Sequence, residues 1–357
     1  MSKKALVAMS GGVDSTVAAY LMKQRGFDCT GVMMKLYEND DIGHGRERTC
    51  CSLKDAEDAR NAAYAMGVPF YVFNLGTDFK EQVIDRFVSA YQNGSTPNPC
   101  IDCNRYIKFE QLYIRAKQLG MDCFATGHYA RIETDGVTGR HILKKAVDET
   151  KDQSYVLYSM TQEQLARTAL PLGRLSKQEV RTIAEEQGLL NAKKQDSQDI
   201  CFVPDGDYAS FIEQYTGKGC ETGDFIDTNG RALGKHKGLI RYTIGQRKGL
   251  GLSFKNPMYV LSINAHDNTV TLCEEHELFT RVLDTEDFNW IAREGISEPM
   301  RVRVKIRYAH PPAWAAAMQT SDNTVRIEFE EPQRAIAKGQ AAVLYDGDIV
   351  IGGGTIV

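Results

Sequence analysis

Short apolar runs alternate with segments of helical periodicity along the N-terminal half of the chain. The runs predict buried strands at residues 5–9, 29–35, 69–75 and 123–126. Apolar residues spaced three and four apart predict helices after Gly12, from an N-cap at Ser52 to about residue 66, over 79–91 and over 109–119. Residues 94–104 are predicted as a turn-rich loop. Because such alternation is typical of a parallel sheet, residues 1–206 are expected to form a Rossmann-like α/β domain.

The pattern changes after about residue 205, where glycine becomes frequent and helical periodicity fades. Residues 207–215 are predicted as a connecting helix, and short strands with alternating polarity follow. We therefore expect a small, mostly-β central domain over residues 207–280 and a C-terminal β-barrel over 281–357.

The composition is that of a soluble globular protein. The 357 residues include 43 Lys and Arg against 47 Asp and Glu, a net charge of −4, and 42% are hydrophobic. These values exclude disordered and fibrous classes. Nine cysteines are too few for a disulfide scaffold, and their odd number leaves at least one thiol unpaired, so a reducing cytoplasm is expected. The apolar run at residues 5–9 is too short for a signal peptide, and no run is long enough to span a membrane.

The near-neutral net charge conceals two basic runs in the C-terminal half. Residues 231–255 carry seven Lys and Arg and no acid. In residues 301–307, Arg301, Arg303, Lys305 and Arg307 alternate with Val and Ile, so in a strand the cations would share one face. Such a face is either a solvated β-surface or, with Tyr308 and His310 beside it, a phosphate-binding stripe. Two acid-free runs favour RNA as the partner.

The hexapeptide Ser-Gly-Gly-Val-Asp-Ser at residues 10–15 lies between a predicted strand and a predicted helix. A helix N-terminus at the carboxyl end of a strand binds anions, and two glycines allow close approach of a phosphate. Asp14 is expected to cap the helix or to hold a phosphate-bound Mg²⁺ ion. The alternative is a simple capping turn. The loop lacks the Gly-Lys-Ser/Thr of a γ-phosphate site and the Gly-x-Gly-x-x-Gly of a dinucleotide site.

Three cysteines are candidates for chemistry. Cys100 and Cys103 precede a predicted helix, and Cys103 is expected to have a lowered pKa at the helix N-terminus. A zinc knuckle would need a second Cys-x-x-Cys, and a redox dithiol would need a thioredoxin-like fold. An iron–sulfur cluster held by Cys100, Cys103 and Cys201 and a sulfur relay between Cys103 and Cys201 remain open. The other cysteines are expected to be small, mostly buried residues: Cys29, Cys50, Cys51, Cys123, Cys220 and Cys273.

Six motifs together carry a family resemblance. They are residues 10–15, Asn-Pro-Cys-x-x-Cys-Asn at 98–104, Ala-Thr-Gly-His-Tyr at 125–129, Lys-Asp-Gln-Ser-Tyr at 151–155, Asp-Ser-x-x-Ile-Cys-Phe at 196–202 and Gly-Gln-Arg-Lys-Gly-Leu-Gly at 245–251. The first resembles the signature of PP-loop ATP pyrophosphatases. All six, in this order over nearly the whole chain, resemble the tRNA-specific 2-thiouridylases.

The resemblance implies an ATP-dependent sulfur transfer to tRNA, with Mg²⁺ accompanying the nucleotide. ATP would adenylate the C2 carbonyl of the wobble uridine, position 34, of the tRNAs for Lys, Glu and Gln, with release of pyrophosphate. Cys201 would carry a persulfide received from a sulfur-relay protein. Cys103 would attack this persulfide, freeing sulfur that displaces AMP and leaving a transient Cys103–Cys201 disulfide.

The resemblance also implies which residues bind each ligand. ATP would be held by Ala8, Met9, Ser10, Gly11, Gly12, Val13, Asp14, Ser15, Met34 and Gly127. The target base would contact Asn98, Pro99 and Cys100. The tRNA would also contact His128, Lys151, Asp152, Gln153, Arg307, Tyr308 and Gln340. Some family members carry an acid at the position of Cys100, so an acid–base role would pass to Asp102 or to water, or would not be needed.

Two other functions compete with sulfur transfer. A PP-loop amidating ligase would use ammonia as the nucleophile, and a nucleotide-sensing RNA-binding protein would keep the loop at residues 10–15; each would tolerate loss of Cys103 and Cys201. The free protein is expected to be a monomer and to have no membrane partner.

Overall fold

The computed structural model describes residues 2–37, 53–189, 191 and 200–357. Several sequence-based expectations lie outside these residues: Ser52 as a helix N-cap, the burial of Cys50 and Cys51, and the first four positions of the motif at 196–202. No helix within the described ranges is both long and apolar enough to cross a membrane.

A parallel sheet forms the core of the N-terminal unit. The strands of this unit are β1 (Lys4–Ala8), β2 (Asp28–Lys35), β3 (Phe70–Asn74), β4 (Cys123–Ala125), β5 (Ala130–Thr134), β6 (His141–Lys145) and β7 (Thr168–Ala169). The parallel sheet has the order β3-β2-β1-β4-β7. Its central strand β1 is buried on both faces, with Ala5, Leu6 and Val7 fully inaccessible, which explains its continuous apolar sequence. The expected α/β domain is therefore confirmed.

Helices cover the parallel sheet and lead into the next unit. They are α1 (Val13–Gln24), α2 (Leu53–Ala65), α3 (Gly76–Phe79), α4 (Asp85–Gln92), α5 (Pro99–Asp102), α6 (Glu110–Gln118), α7 (Gln162–Arg167), α8 (Lys177–Glu186) and α9 (Tyr208–Thr216). π-helical segments join α3 to α4 at Lys80–Ile84 and α5 to α6 at Cys103–Phe109. Short 3₁₀ turns lie at Ser154–Leu157, Leu239–Arg241 and Glu275–Leu278.

The predicted loop at 94–104 is wrong at its C-terminal end, because a helix begins at Pro99. The Asn98 side chain accepts the Cys100 backbone N–H at 3.1 Å, which caps α5, and Pro99 takes a position where a missing N–H costs nothing. This capping signal is present in the sequence as Asn-Pro. Cys103 consequently lies inside a continuous helical stretch and not at its start.

The central unit is a small sheet with the strand order β10-β11-β8-β9, formed by β8 (Gly223–Ile226), β9 (Ala232–His236), β10 (Tyr259–Asn264) and β11 (Thr269–Cys273). The predicted connecting helix is α9, where Asp207 is the N-cap and Gly217 ends the helix in the left-handed conformation.

The C-terminal strands close into a barrel, as expected. They are β12 (Phe279–Trp290), β13 (Met300–Lys305), β14 (Ala313–Ser321), β15 (Thr324–Arg334), β16 (Ala341–Asp346) and β17 (Ile349–Ile356), in the order β12-β15-β14-β13-β16-β17 with β17 pairing back to β12. Along β13, Val302 and Val304 are buried while Arg301 and Arg303 are exposed. The predicted alternation of residues 301–307 is thus confirmed for this strand.

One hairpin joins the α/β unit to the barrel. Strands β5 and β6 extend the barrel sheet, with Lys144 of β6 opposite Ile349 of β17. Asp348 accepts Arg131 at 2.6 Å and Lys144 at 3.2 Å, and both cations also meet Glu133. This ion-pair cluster links the hairpin of β5 and β6 to Asp348, in the turn between β16 and β17.

Candidate functional site

The loop between β1 and α1 has the geometry of an anion-binding turn. Gly12 occupies the N-cap position, and the Ser15 hydroxyl donates to its carbonyl at 3.0 Å while accepting the Ser10 N–H at 3.1 Å. Gly11 has φ +77°, and a Cβ there would lie 2.5 Å from the Asp55 carbonyl oxygen. The loop therefore requires glycine both for its conformation and for space. Ala8 ends β1, Met9 is buried behind the turn, and Val13 opens α1.

Asp14 does not have the first of its two expected roles, that of the helix cap. The Asp14 carboxylate accepts hydrogen bonds from the Lys177 ammonium at 2.7 and 2.9 Å and from the Tyr129 hydroxyl at 2.8 Å. None of these bonds caps α1. Expecting Asp14 as the helix cap was therefore wrong. The fit to ATP rests on the glycine turn and the helix N-terminus, whereas a Mg²⁺ ion would meet a carboxylate that is already ion-paired.

Two further residues, Gly127 and Asn191, build this end of the sheet. Gly127 follows β4, and a Cβ there would lie 2.9 Å from the backbone of Asp14 and Ser15, so the segment after β4 is in backbone contact with the first turn of α1. Asn191 donates to the Gly11 carbonyl at 3.1 Å and to the Thr16 hydroxyl at 2.7 Å. Sequence reasoning missed Asn191 and Lys177, because each is distant in the chain and part of no recognised motif.

Cys103 is a buried thiol. Its exposed fraction is 7%, and burial raises its pKa to about 11 even though the nearby Lys108 charge acts in the opposite direction. The expected lowering of its pKa by a helix N-terminus is thus wrong, because α5 precedes Cys103 and removes that terminus. Burial disfavours the thiolate more than any local charge favours it.

Cys103 and Cys201 pack on the same hydrophobic cluster. The cluster is rich in aromatic residues, including Phe79, Phe87 and Phe202. Cys201 is half-buried, and its carbonyl accepts the Tyr37 hydroxyl at 2.8 Å. The fold thus gathers two cysteines that are nearly a hundred residues apart in the chain.

The expected target-base residues lie beside the barrel. Cys100 is exposed on α5, close enough to Tyr308 that burial, the Asp152 charge and the Cys100 charge together raise the pKa of the tyrosine. Tyr308 donates to the Asp152 carbonyl at 3.2 Å, and its ring meets that of Tyr155. Cys100, one of the residues expected at the target base, therefore lies near Tyr308, a barrel residue expected to bind tRNA.

Asp102 lines a cleft of about 690 Å³ between the helical segments and the barrel. Burial raises the pKa of its carboxyl, against the effect of Arg86, whose Nε lies 3.5 Å away. Arg105 crosses the same cleft to form an ion pair with Asp287 of β12. Asp102 therefore lines the cleft from the last position of α5, which also carries Cys100 and leads directly into Cys103.

The other expected tRNA contacts cluster at the junction of the two units, and several also have structural roles. His128 is 9% exposed, its Nδ1 lies 2.8 Å from the Thr126 hydroxyl, and burial and the Lys108 charge keep its pKa well below the usual value. Other contacts there are Asp152 to Ser154, Gln153 to Tyr129, Gln340 to the Thr96 carbonyl and Arg307 to the Ala335 carbonyl, with Lys151 half-buried nearby.

The basic runs are partly neutralised by ion pairs. Lys235 pairs with Asp224, and Arg241 pairs with Glu213, each at 2.8 Å. On the barrel, Arg301 pairs with Glu330 and lies over the Trp314 ring, while Arg303, on the same face, also lies over the Trp314 ring and donates to the Pro312 carbonyl. The basic runs alone could not show these acids, since the acids come from other strands and from helix α9.

A metal centre has no preformed ligand set in the described part of the chain. Among those residues, no three His, Cys, Asp or Glu side chains are gathered as a bound ion requires, and this includes Cys100, Cys103 and Cys201.

Comparison with known families covers each structural unit. Residues 3–205 match the model of a tRNA methyl transferase HUP domain, 209–274 that of a tRNA methyl transferase PRC-barrel domain and 280–356 that of an aminomethyltransferase β-barrel domain. Among curated proteins, the chain is similar to enzymes with the name tRNA-specific 2-thiouridylase MnmA. The one from Clostridioides difficile is 52% identical over 100% of this chain and 98% of its own length. That from Clostridium acetobutylicum is 50% identical over 100% of both chains, and that from Lachnoclostridium phytofermentans is 49% identical over 99% of both.

Proposed function

Because the chain belongs to the family of tRNA-specific 2-thiouridylases, we propose that it is an ATP-dependent enzyme that replaces the C2 oxygen of a tRNA uridine with sulfur. The uridine is the wobble base, position 34, of the tRNAs for Lys, Glu and Gln. Residues 1–206 carry the chemistry, and residues 207–280 and 281–357 bind tRNA.

One observation supports this proposal above all: the nucleotide loop and the cysteine cluster share one edge of the parallel sheet. The loop follows β1, and Gly127 at the end of the adjacent β4 is in backbone contact with it. Met34, near the end of β2 on the other side of β1, packs against the cluster that contains Cys103 and Cys201. The carboxyl edge of such a sheet is where ligands bind.

The chemistry begins with activation of the base. The loop at residues 10–15 holds the phosphates with its backbone N–H groups, and the C2 oxygen of uridine attacks the α-phosphorus of ATP, releasing pyrophosphate. The oxygen of the resulting adenylate can leave as AMP. A bound Mg²⁺ would neutralise phosphate charge at this step.

Sulfur then replaces that oxygen. The Cys201 thiolate takes the outer sulfur of a persulfide on a sulfur-relay protein, whose cysteine leaves as a thiolate. The Cys103 thiolate then attacks the inner sulfur of the Cys201 persulfide, which forms the Cys103–Cys201 disulfide and releases hydrosulfide. The hydrosulfide attacks C2 and displaces AMP. The half-buried position of Cys201 leaves it open to a donor, while buried Cys103 is shielded from other thiols. An external thiol reductant restores both cysteines.

The barrel stripe supports RNA binding. Arg303 is exposed, Lys305 lies within 6 Å of the ring centres of Tyr155 and Tyr308, and Tyr308 is 42% exposed. Cations beside an exposed aromatic ring suit the phosphates and unstacked bases of an anticodon loop. The target base must leave its stack to reach Cys100.

The test is thiolation of unmodified tRNA with ATP and a protein persulfide donor, read out as 2-thiouridine and AMP. We expect equal amounts of both products from the wild-type protein, and none of the thiolated product from Cys103→Ser or Cys201→Ser. Cys220→Ser, in the central unit, is the matched control and should keep activity. Thiolation that survives loss of Cys201 would contradict the relay. Product formed with ammonia and no sulfur would instead support an amidating ligase, and ATP and tRNA binding with no AMP release would support a nucleotide-sensing RNA-binding protein.

A further inference from the structure

The segment that follows Cys103 is wound as a π-helix, from Cys103 to Phe109. In a π-helix the backbone hydrogen bonds link residues five apart, so the helix is wider and has more residues per turn than an α-helix. In an α-helix it is the residues three and four apart that share a face. Lys108 is the fifth residue after Cys103. The wider winding therefore brings Lys108 closer to the face of the helix that carries Cys103 than an α-helix would.

The helical segment that carries Lys108 also packs against the residues that follow β4. The neighbouring Phe109 ring lies 5.5 Å from the His128 ring. The Lys108 charge acts on both Cys103 and His128, lowering the pKa of each. His128 follows Gly127, which touches the nucleotide loop, so the half-buried Lys108 lies on a helical segment that carries Cys103 and packs beside the residues in contact with this loop.

A positive charge beside Cys103 favours formation of its thiolate. Cys103 reacts as a thiolate, and its burial strongly favours the neutral thiol. A nearby ammonium compensates part of the cost of burying a negative charge. A π-helical segment is less stable than a regular α-helix. Such segments are therefore rare, and those that occur are frequently at functional sites.

We propose that Lys108 is a positioning residue whose ammonium stabilises the Cys103 thiolate, and that the π-helical winding exists to place it there. This inference rests on the proposed role of Cys103 as the nucleophile. On deprotonation, the Cys103 proton passes to solvent, and Lys108 keeps its own protons and acts only through its charge. The conservative Lys108→Arg substitution should preserve this effect, and a neutral residue should not.

The test measures Cys103 reactivity directly and needs neither ATP nor tRNA. The protein is treated with iodoacetamide at about pH 8.5, below the pKa of the buried thiol, and the rate at Cys103 is read by peptide mass spectrometry, with exposed Cys100 as an internal reference. We expect Lys108→Met to lower the Cys103 rate about tenfold, the change that a rise of about one pKa unit produces, and Lys108→Arg to stay near wild type. Lys117→Met, exposed on α6, is the matched control and should have no effect.

An unchanged Cys103 rate in folded Lys108→Met would overturn the proposal, as would an equal loss in Lys108→Arg. If Lys108→Met fails to fold, which would show as rapid alkylation of the buried Cys29, Lys108→Gln gives the same comparison with a smaller, polar side chain. Because alkylation is independent of thiolation, failure of this inference leaves the proposed function standing, and absence of 2-thiouridine leaves the alkylation result interpretable.

Discussion

The Lys177 ammonium lies 2.7 Å from one carboxylate oxygen of Asp14 and 2.9 Å from the other. Lys177 is the first residue of α8, and Asp14 lies in the first turn of α1, so the ion pair ties two helices together at the nucleotide loop. Both side chains are largely buried, at 12% and 31% exposure. Because this ion pair lies at the nucleotide loop, its charges act on any anion that binds to the loop.

We expect Lys177→Gln to weaken ATP binding about tenfold, or about 1.4 kcal/mol, because it leaves the Asp14 carboxylate uncompensated beside the triphosphate. Isothermal titration calorimetry with ATP measures this directly. Lys218→Gln, exposed after α9, is the control for loss of one positive charge and should bind ATP as the wild type does. Equal affinities for the Lys177 and Lys218 variants would show that the ion pair has no part in nucleotide binding.

Gly127→Ala should lower ATP affinity by at least about tenfold, since its Cβ would lie 2.9 Å from backbone atoms of Asp14 and Ser15 and must displace the loop. Gly136→Ala is the matched control, because its Cβ would meet nothing within 4 Å. Calorimetry and thermal melting of both variants check the prediction. The idea fails if Gly127→Ala binds ATP normally.

Arg303→Gln should weaken tRNA binding and reduce the slope of log K against log salt concentration by about one, because one phosphate contact is lost. ATP binding should stay unchanged, since Arg303 lies on the barrel exterior. Arg25→Gln, exposed at the end of α1, removes the same charge away from the barrel and serves as the control. Filter-binding titrations at several salt concentrations measure the slope; an unaltered slope would rule out this face as a phosphate contact.

Acidification should destabilise the central unit through His236. Its Nδ1 accepts the Gly238 N–H at 3.0 Å and its Nε2 lies 3.1 Å from the Asn268 carbonyl, a pattern that requires the neutral ring. Burial lowers the pKa of His236, so the unfolded chain binds a proton more readily than the native one. The contribution to stability is therefore complete above the unfolded pKa of about 6.5 and is lost as the pH falls towards the lower, folded pKa.

Thermal melting between about pH 7.5 and 5 measures this loss. His236→Gln should show a shallower pH dependence than the wild type, whereas His266→Gln, at an exposed histidine, should show the same dependence as the wild type. If the melting temperature of His236→Gln depends on pH as strongly as that of the wild type, His236 is not the group responsible.

The sequence by itself determined the strands β1 to β4 of the α/β domain, the loop at residues 10–15 and the inside–outside alternation of β13. These features depend on apolar periodicity and on turn residues, which act over a few neighbouring positions. It also sufficed for the family resemblance, because the motifs are short and contiguous.

Only the tertiary structure decided the state of the charged and reactive groups. Lys177 lies 163 residues from Asp14, and Glu330 lies 29 residues from Arg301, so each ion pair exists only once distant segments pack. The pKa of Cys103 shows the same principle: the local pattern predicted a helix N-terminus, but α5 and the surrounding cluster bury the thiol and raise its pKa. Local sequence specifies backbone conformation, whereas burial and long-range pairing, which the folded chain alone creates, set the electrostatics of the site.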